Sequence, residues 1–246
     1  VVGLASAKTG VEGVANYELL STSGNIINQL SDDLSGEKSV GYDVVTTLVP
    51  KLQEAAYKAL GSNKGAVVAM EPSTGRVLAM VSKPDFDPNQ ISSVIEETAN
   101  SDSSCLLNRA TQGMYPPGST FKPTQGLIFL NEGIITEHTL YPCYHGFVSG
   151  RLKVGCHGHA SPLSLLPALQ TSCNAFFCYG LRSMVDNRKK YQSPAKAFNV
   201  WKDYLVSMGY GYRLGVDLPG ESRGFIPNSN YYNTVSYTHL RAHETD

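Results

Sequence analysis

A chain of 246 residues with 41% hydrophobic and 17% charged residues can bury a core, and this balance excludes a disordered polymer. A formal net charge of −1 supplies no basic field, which argues against a nucleic-acid partner. No run reaches the roughly 18 apolar residues that a membrane-spanning helix needs, and no charged-then-apolar leader is visible.

In chain order, residues 1 to about 41 are rich in Gly, Ser and Asn and read as the end of one domain plus a connector. Val44 to Val49 is a β-branched run expected to be a strand. Pro50 then opens a helix that puts Leu52, Ala55, Ala56 and Leu60 on one face and ends at Gly61. Two short strands, Gly65–Met70 and Arg76–Ser82, flank the turn residues Glu71–Gly75 and predict a hairpin. Their continuous apolarity predicts cover on both faces. Beyond Asn89 the pattern becomes helical, with helices expected over Phe121–Asn131, from Ser161-Pro162 through Leu169, over Ala175–Val185, and from Ser193-Pro194 past Phe198, Trp201 and Leu205. Gly209 to Asn230 reads as a Gly- and Tyr-rich loop. A hairpin followed by a block of helices predicts an α+β fold.

The stretch Tyr115-Pro-Pro-Gly-Ser-Thr-Phe-Lys-Pro123 carries the clearest chemistry. A serine at a helix start and a lysine one turn later share a face, so the hydroxyl of Ser119 and the amine of Lys122 can meet. First-turn N–H groups also face the place where an oxyanion would form. To take the serine proton the amine must be neutral, which from an ordinary lysine value near 10.4 needs roughly 4 kcal/mol of burial and neighbouring charge. The same spacing recurs at Ser35–Lys38, in a loop, and at Ser193–Lys196, a helix start. Both read as structure, because a motif needs its context. Ser172-Cys-Asn174 falls between two expected helices and can bring a hydroxyl and an amide to the Ser119–Lys122 pair. Ser23-Gly-Asn25 has the same spacing but no partner.

Ser-x-x-Lys followed by Ser-x-Asn is part of the signature of penicillin-binding proteins and class A β-lactamases. The stretches starting at Gly41-Tyr-Asp-Val-Val and Met70-Glu-Pro-Ser-Thr-Gly, and that from Asn108 to Pro123, make the chain resemble class B penicillin-binding proteins over residues 1 to about 230. The resemblance implies the serine β-lactamase/penicillin-binding-protein transpeptidase fold, here incomplete: the N-terminal hairpin and helical subdomain without the C-terminal sheet strands. It implies Ser119 as the acylated nucleophile, Lys122 as its base, and Ser172 and Asn174 as the second motif. It implies acyl transfer from D-Ala-D-Ala stem peptides, inhibition by β-lactams, a membrane glycosyltransferase partner, and work on the outer face of a bacterial cell membrane. No cofactor and no metal is expected. The expected organisation is residues 1–41 as the end of an N-terminal pedestal or dimerisation domain with its connector, 42–233 as the first part of a transpeptidase domain, and 234–246 as a non-native tail that resembles sequencing-adapter read-through.

The family's third motif, Lys-Thr/Ser-Gly, does not occur after Asn174. Lys8-Thr9-Gly10 matches it but precedes every other motif, so chain order makes it a coincidence. With no methionine before Met70, the sequence is expected to be a piece of a longer gene product, itself inactive. Five cysteines, Cys105, Cys143, Cys156, Cys173 and Cys178, cannot all pair, although Cys143 and Cys156 can bridge in an oxidising compartment. Cys143 and Cys156 with His145, His157 and His159 offer zinc ligands, but their spacing fits no named structural zinc site. Cys173 and Cys178 read as small buried hydrophobes. The competing readings are a β-lactamase, which needs a deacylating Glu where only Glu221 is on offer, a β-lactam sensor, and a non-catalytic scaffold of wall synthesis.

Overall fold

The computed structural model describes residues 10–21, 41–90, 93–94, 105–150 and 152–229. It divides into two compact units, residues 1–114 with 213–223, and residues 115–212 with 224–246. Both helices and strands are present, as the α+β reading requires. Among the described residues no helix is long and apolar enough to cross a membrane. Ser35–Lys38, Ser23–Asn25, Lys8, Thr9 and the tail after 229 lie outside the described residues.

In the first unit two short helices, α1 (Gly10–Val14) and α2 (Asn16–Leu20), precede α3 (Pro50–Leu60). Proline opens α3 because a first-turn amide needs no partner, and Gly61 stops it with φ 57°. The hairpin forms as expected from β1 (Gly65–Met70) and β2 (Val77–Lys83), antiparallel with Val67 opposite Val81 and Ala69 opposite Ala79. These four face Ala56 and Leu60 of α3 and make a small core.

Two expectations fail here. Residues 44–49 are not a strand, because only Val49 at their end reaches the outer edge of β2 by its backbone and the next place on that edge is taken by a side chain. The Val49 N–H donates to Leu78 O at 2.8 Å, and the Gln53 amide imitates a strand by donating to Met80 O (2.7 Å) and accepting from its N–H (2.8 Å). The two faces of the hairpin are not covered alike: α3 packs on one, while among the described residues the other carries Leu107–Arg109 at Ser82 and leaves Val68 and Met70 about half exposed. Glu221 accepts the N–H groups of Leu214, Gly215 and Val216, which holds its carboxyl below the ordinary value although burial opposes this. That carboxylate is engaged in shaping its own loop.

In the second unit a 3₁₀ turn (Gly118–Phe121) runs into α4 (Lys122–Asn131). The β3–β4 hairpin (Gly146–Ser149 and Leu152–Gly155) follows, then α5 (Leu165–Gln170), α6 (Asn174–Val185), α7 (Arg188–Tyr191) and α8 (Pro194–Ser207). The helix expected from Pro162 begins at Leu165, because Leu163 is held in a bridge to Tyr141 and Ser161 Oγ accepts the Cys143 N–H. The core gathers Ile128 and Phe129 of α4, Phe176, Phe177 and Met184 of α6, and Phe198, Trp201 and Leu205 of α8. Each such side chain contributes about 1.5–3 kcal/mol on burial. Gly180 lets α6 meet α4 closely, since a Cβ there would lie 2.5 Å from the Phe129 ring.

Past the end of α4, Glu132 ties three helices together. Its carboxylate accepts from Tyr191 OH (2.5 Å), Tyr204 OH (2.7 Å) and Lys190 Nζ (2.7 Å). Burial pushes this carboxyl up, but the three donors outweigh it and hold it below 4.5. A carboxylate with a depressed folded value stabilises fully above the unfolded value, and the contribution is lost as pH falls through the folded one. Glu132→Gln, which keeps an acceptor but leaves Lys190 without its counter-charge, should cost about 1–3 kcal/mol at neutral pH. Urea unfolding should show that difference shrinking as the buffer is made acid.

Candidate active site

Ser119 sits in the 3₁₀ turn, where residues three apart eclipse one another. That geometry, tighter than the α-helix expected from sequence, brings Lys122 Nζ to 2.9 Å from Ser119 Oγ. Gly118 takes φ 55° at the entrance, a conformation an L side chain resists.

Ser172 and Asn174 approach from the junction of α5 and α6. The end of α5 is closed by two bonds, Ser172 N–H to Leu169 O (3.1 Å) and Cys173 N–H to Ala168 O (2.8 Å). This is the Schellman pattern, whose left-handed position is usually glycine. Here it is Ser172, at φ 52°. The left-handed turn sends both the carbonyl and the hydroxyl of Ser172 to Lys122, at 2.8 and 2.9 Å from Nζ. Asn174 Oδ1, at the first position of α6, lies 2.5 Å from the same nitrogen.

Lys122 is therefore buried, 8% exposed, with four oxygens around one nitrogen. An ammonium has three protons to give and a neutral amine two protons and one lone pair, so neither form serves all four at once. Two of the four, the Ser172 carbonyl and the Asn174 amide oxygen, can only accept. The other two are hydroxyls that can also donate. In the neutral form that a base requires, two N–H bonds can satisfy the obligate acceptors and leave the lone pair for a serine O–H. Ser193 and Lys196 differ in kind, for Ser193 Oγ caps the Lys196 N–H and Lys196 Nζ goes to Gln192 Oε1 at 2.5 Å. The four residues picked from sequence meet at one nitrogen.

Sequence spacing misses a second cluster. Cys143, Cys156, His159 and Cys173 bring one donor atom each to within 4.8 Å of one another. Spacing counted against a metal because it fits no named motif, yet the fold assembles the set from the β3–β4 hairpin, its flanks and the start of α6. Cys173, expected as a plain hydrophobe, belongs to it; His145 and His157, counted as donors, are exposed and do not. All five cysteines are free thiols, so the Cys143–Cys156 bridge is not formed. Nδ1 of His159 lies 2.7 Å from Ala160 O and can only donate there, and Nε2 lies 3.3 Å from Cys156 Sγ; the Ala160 carbonyl first and the sulfur second push the ring above its ordinary value. Burial pushes the thiols of Cys143 and Cys173 up, the latter to about 12. Burial acts on Cys156 in the same sense, but His159 and the N–H groups of Asn174 and Ala175 bring it down to about 7. Three thiols and an imidazole are the donor set of a closed tetrahedral zinc site.

Two outcomes are expected. Ser172→Gly relieves a left-handed L residue, so the melting temperature should rise by the equivalent of up to about 1 kcal/mol while the hydroxyl beside Lys122 is lost. Metal analysis of protein purified without chelator should find about one zinc per chain, retained by Cys178→Ala and lost in Cys173→Ala.

Comparison with known proteins is consistent over most of the chain. The family model for the penicillin-binding protein transpeptidase domain matches residues 65–240. Peptidoglycan D,D-transpeptidase MrdA of Acinetobacter baumannii is 32% identical over 237 residues, covering 90% of this chain and 32% of that protein. The chain thus spans about a third of the length of that relative. Penicillin-binding protein A from M. tuberculosis, solved as an imipenem acyl-enzyme complex, matches with a TM-score of 0.69 and 26% identity over 86% of this chain and 50% of that one. A structure described as structural coordination of polymerization and crosslinking by a peptidoglycan synthase complex matches with a TM-score of 0.66 and 28% identity, over 82% of this chain and 38% of that one. The chain belongs to the penicillin-binding protein transpeptidase family, in its class B branch.

Proposed function

We propose that this chain carries the acylation half of a peptidoglycan D,D-transpeptidase site, with Ser119 as nucleophile. The observation that carries the reading is the shell around Lys122, two obligate acceptors and two hydroxyls about one buried amine. Lys122 takes the Ser119 proton as Oγ attacks the penultimate D-Ala carbonyl of a stem peptide, and first-turn N–H groups face the oxyanion. The C–N bond breaks, and the leaving terminal D-Ala amine takes up a proton. Ser172 Oγ, 2.9 Å from Nζ, is placed to relay it. An amine of an acceptor stem peptide then attacks the ester, which returns Ser119 and completes the cross-link. A β-lactam opens on the same serine, as in the imipenem acyl-enzyme of the M. tuberculosis neighbour.

Stem peptides lie outside the cytoplasmic membrane, so the site works on the extracytoplasmic face, in a protein held at the cell membrane. A membrane glycosyltransferase that polymerises the glycan strands is the proposed partner, supported by the likeness to a peptidoglycan synthase complex. The β-lactamase reading loses its candidate base, since Glu221 already serves three backbone N–H groups of its own loop.

Full-length gene product should be labelled by a fluorescent penicillin and Ser119→Ala should not. Lys122→Ala should slow labelling by about 10²–10⁴-fold, the range for removal of a general base. Labelling that persists in Ser119→Ala would place the nucleophile elsewhere.

A further inference from the structure

Lys122 is held by Asn174, and Asn174 in turn is held by the end of the β3–β4 hairpin. Its backbone N–H donates to Cys156 Sγ at 3.2 Å, and its side-chain Nδ2 donates to Gly155 O at 3.0 Å. The first N–H groups of a helix have no carbonyl partner inside it, so the Asn174 amide needs an outside acceptor, and Cys156 supplies one. The second bond decides which way round the side-chain amide sits. Turned over, Asn174 would put its NH₂ against the Lys122 amine and its oxygen against the Gly155 carbonyl, donor on donor and acceptor on acceptor. Both ends therefore oppose the flip, and Oδ1 stays on Nζ.

The hairpin that does this is itself anchored. Cys156 N–H donates to His145 O at 3.0 Å across the hairpin, and the Phe147 ring packs edge-on against Tyr179 of α6, with centroids 4.8 Å apart. Cys156 is thus fixed from one side by its strand partner and reaches Asn174 from the other.

We propose that Cys156 is a positioning residue of the acylation site, acting through Asn174 to keep the acceptor oxygen on Lys122. It does not touch the reacting atoms. This rests on the acyl-enzyme reading of Ser119, and its effect falls on the rate of acylation and not on the capture of the β-lactam.

The experiment is stopped-flow acylation of the full-length protein by a fluorescent penicillin, resolving the binding constant from the acylation rate constant. Cys156→Ala and Cys156→Val, neither with an acceptor, should lower the rate constant about tenfold, the equivalent of ~1.4 kcal/mol, with binding unchanged within about twofold. Compared in metal-free protein, parent and variants alike treated with chelator, Cys156→Ser keeps an acceptor and should stay within about threefold of the parent. Metal content is measured in parallel: all three variants lose the thiol, so a loss shared equally by Ser, Ala and Val runs through the thiol cluster and overturns the proposal. Parent-like rates in Ala or Val overturn it as well. Should neither fold, hydrogen exchange at the Asn174 N–H in Cys156→Ser decides, protection as in the parent supporting the proposal and free exchange refuting it. A parent protein that fails to acylate at all refutes the function of Ser119 instead, so the two failures are told apart.

Discussion

One buried amine, Lys122, organises everything around it. Burying a lysine to 8% exposure is costly unless every contact of its amine is polar and well directed, and the fold supplies four oxygens from two chain segments, the Ser119 turn and the α5–α6 junction. Neither of these segments can drift without stripping a partner from a buried nitrogen. The 3₁₀ turn at Ser119, the left-handed residue at Ser172 and the first residue of α6 are thus coupled by a single atom.

That coupling explains why the local backbone departs from the ordinary at these places. An α-helical turn sets residues three apart at a stagger, whereas the 3₁₀ turn stacks them and brings Ser119 over Lys122. A Schellman closure favours glycine, yet glycine has no hydroxyl to offer Nζ. Ser172 accepts a strained conformation, about 1–2 kcal/mol for an L residue, and in exchange presents two oxygens from one position. The stability for this comes from the aromatic packing of α4, α6 and α8 beneath, where Phe129, Phe176 and Met184 are wholly buried.

Much of this was legible in the sequence, for identifiable reasons. Helices opened by proline and closed by glycine, such as α3, and the β1–β2 hairpin announce themselves through local chemistry. Ser119, Lys122, Ser172 and Asn174 were legible because each pair obeys a short spacing rule, and chain order separated them from their look-alikes. The misreadings share one cause, namely partners distant in sequence. Val44–Val49 has strand composition, but the side chain of Gln53 fills the edge it would have paired with. Pro162 has the look of a helix start, but the bridge between Leu163 and Tyr141 holds it extended. Continuous apolarity in β1 predicts two covered faces, and which element covers the second is not written in the strand.

The thiol cluster is the sharpest instance of that limit, and it bears on the site itself. Cys143, Cys156, His159 and Cys173 obey no zinc-motif spacing, because their geometry is set by a hairpin folding back onto the start of a helix and not by one local turn. Cys173 occupies the middle position of Ser-x-Asn, between the two residues that reach Lys122. Its side chain points the opposite way, accepting the Phe176 N–H at 3.4 Å within the buried core. With Ser172 left-handed and Asn174 already in α6, the turn brings both of these residues to the amine and leaves Cys173 between them to enter the core. The thiol there meets the hairpin that holds Asn174. The Cys156 thiol in that cluster accepts the Asn174 N–H, so this short segment meets the amine on one side and the thiols on the other.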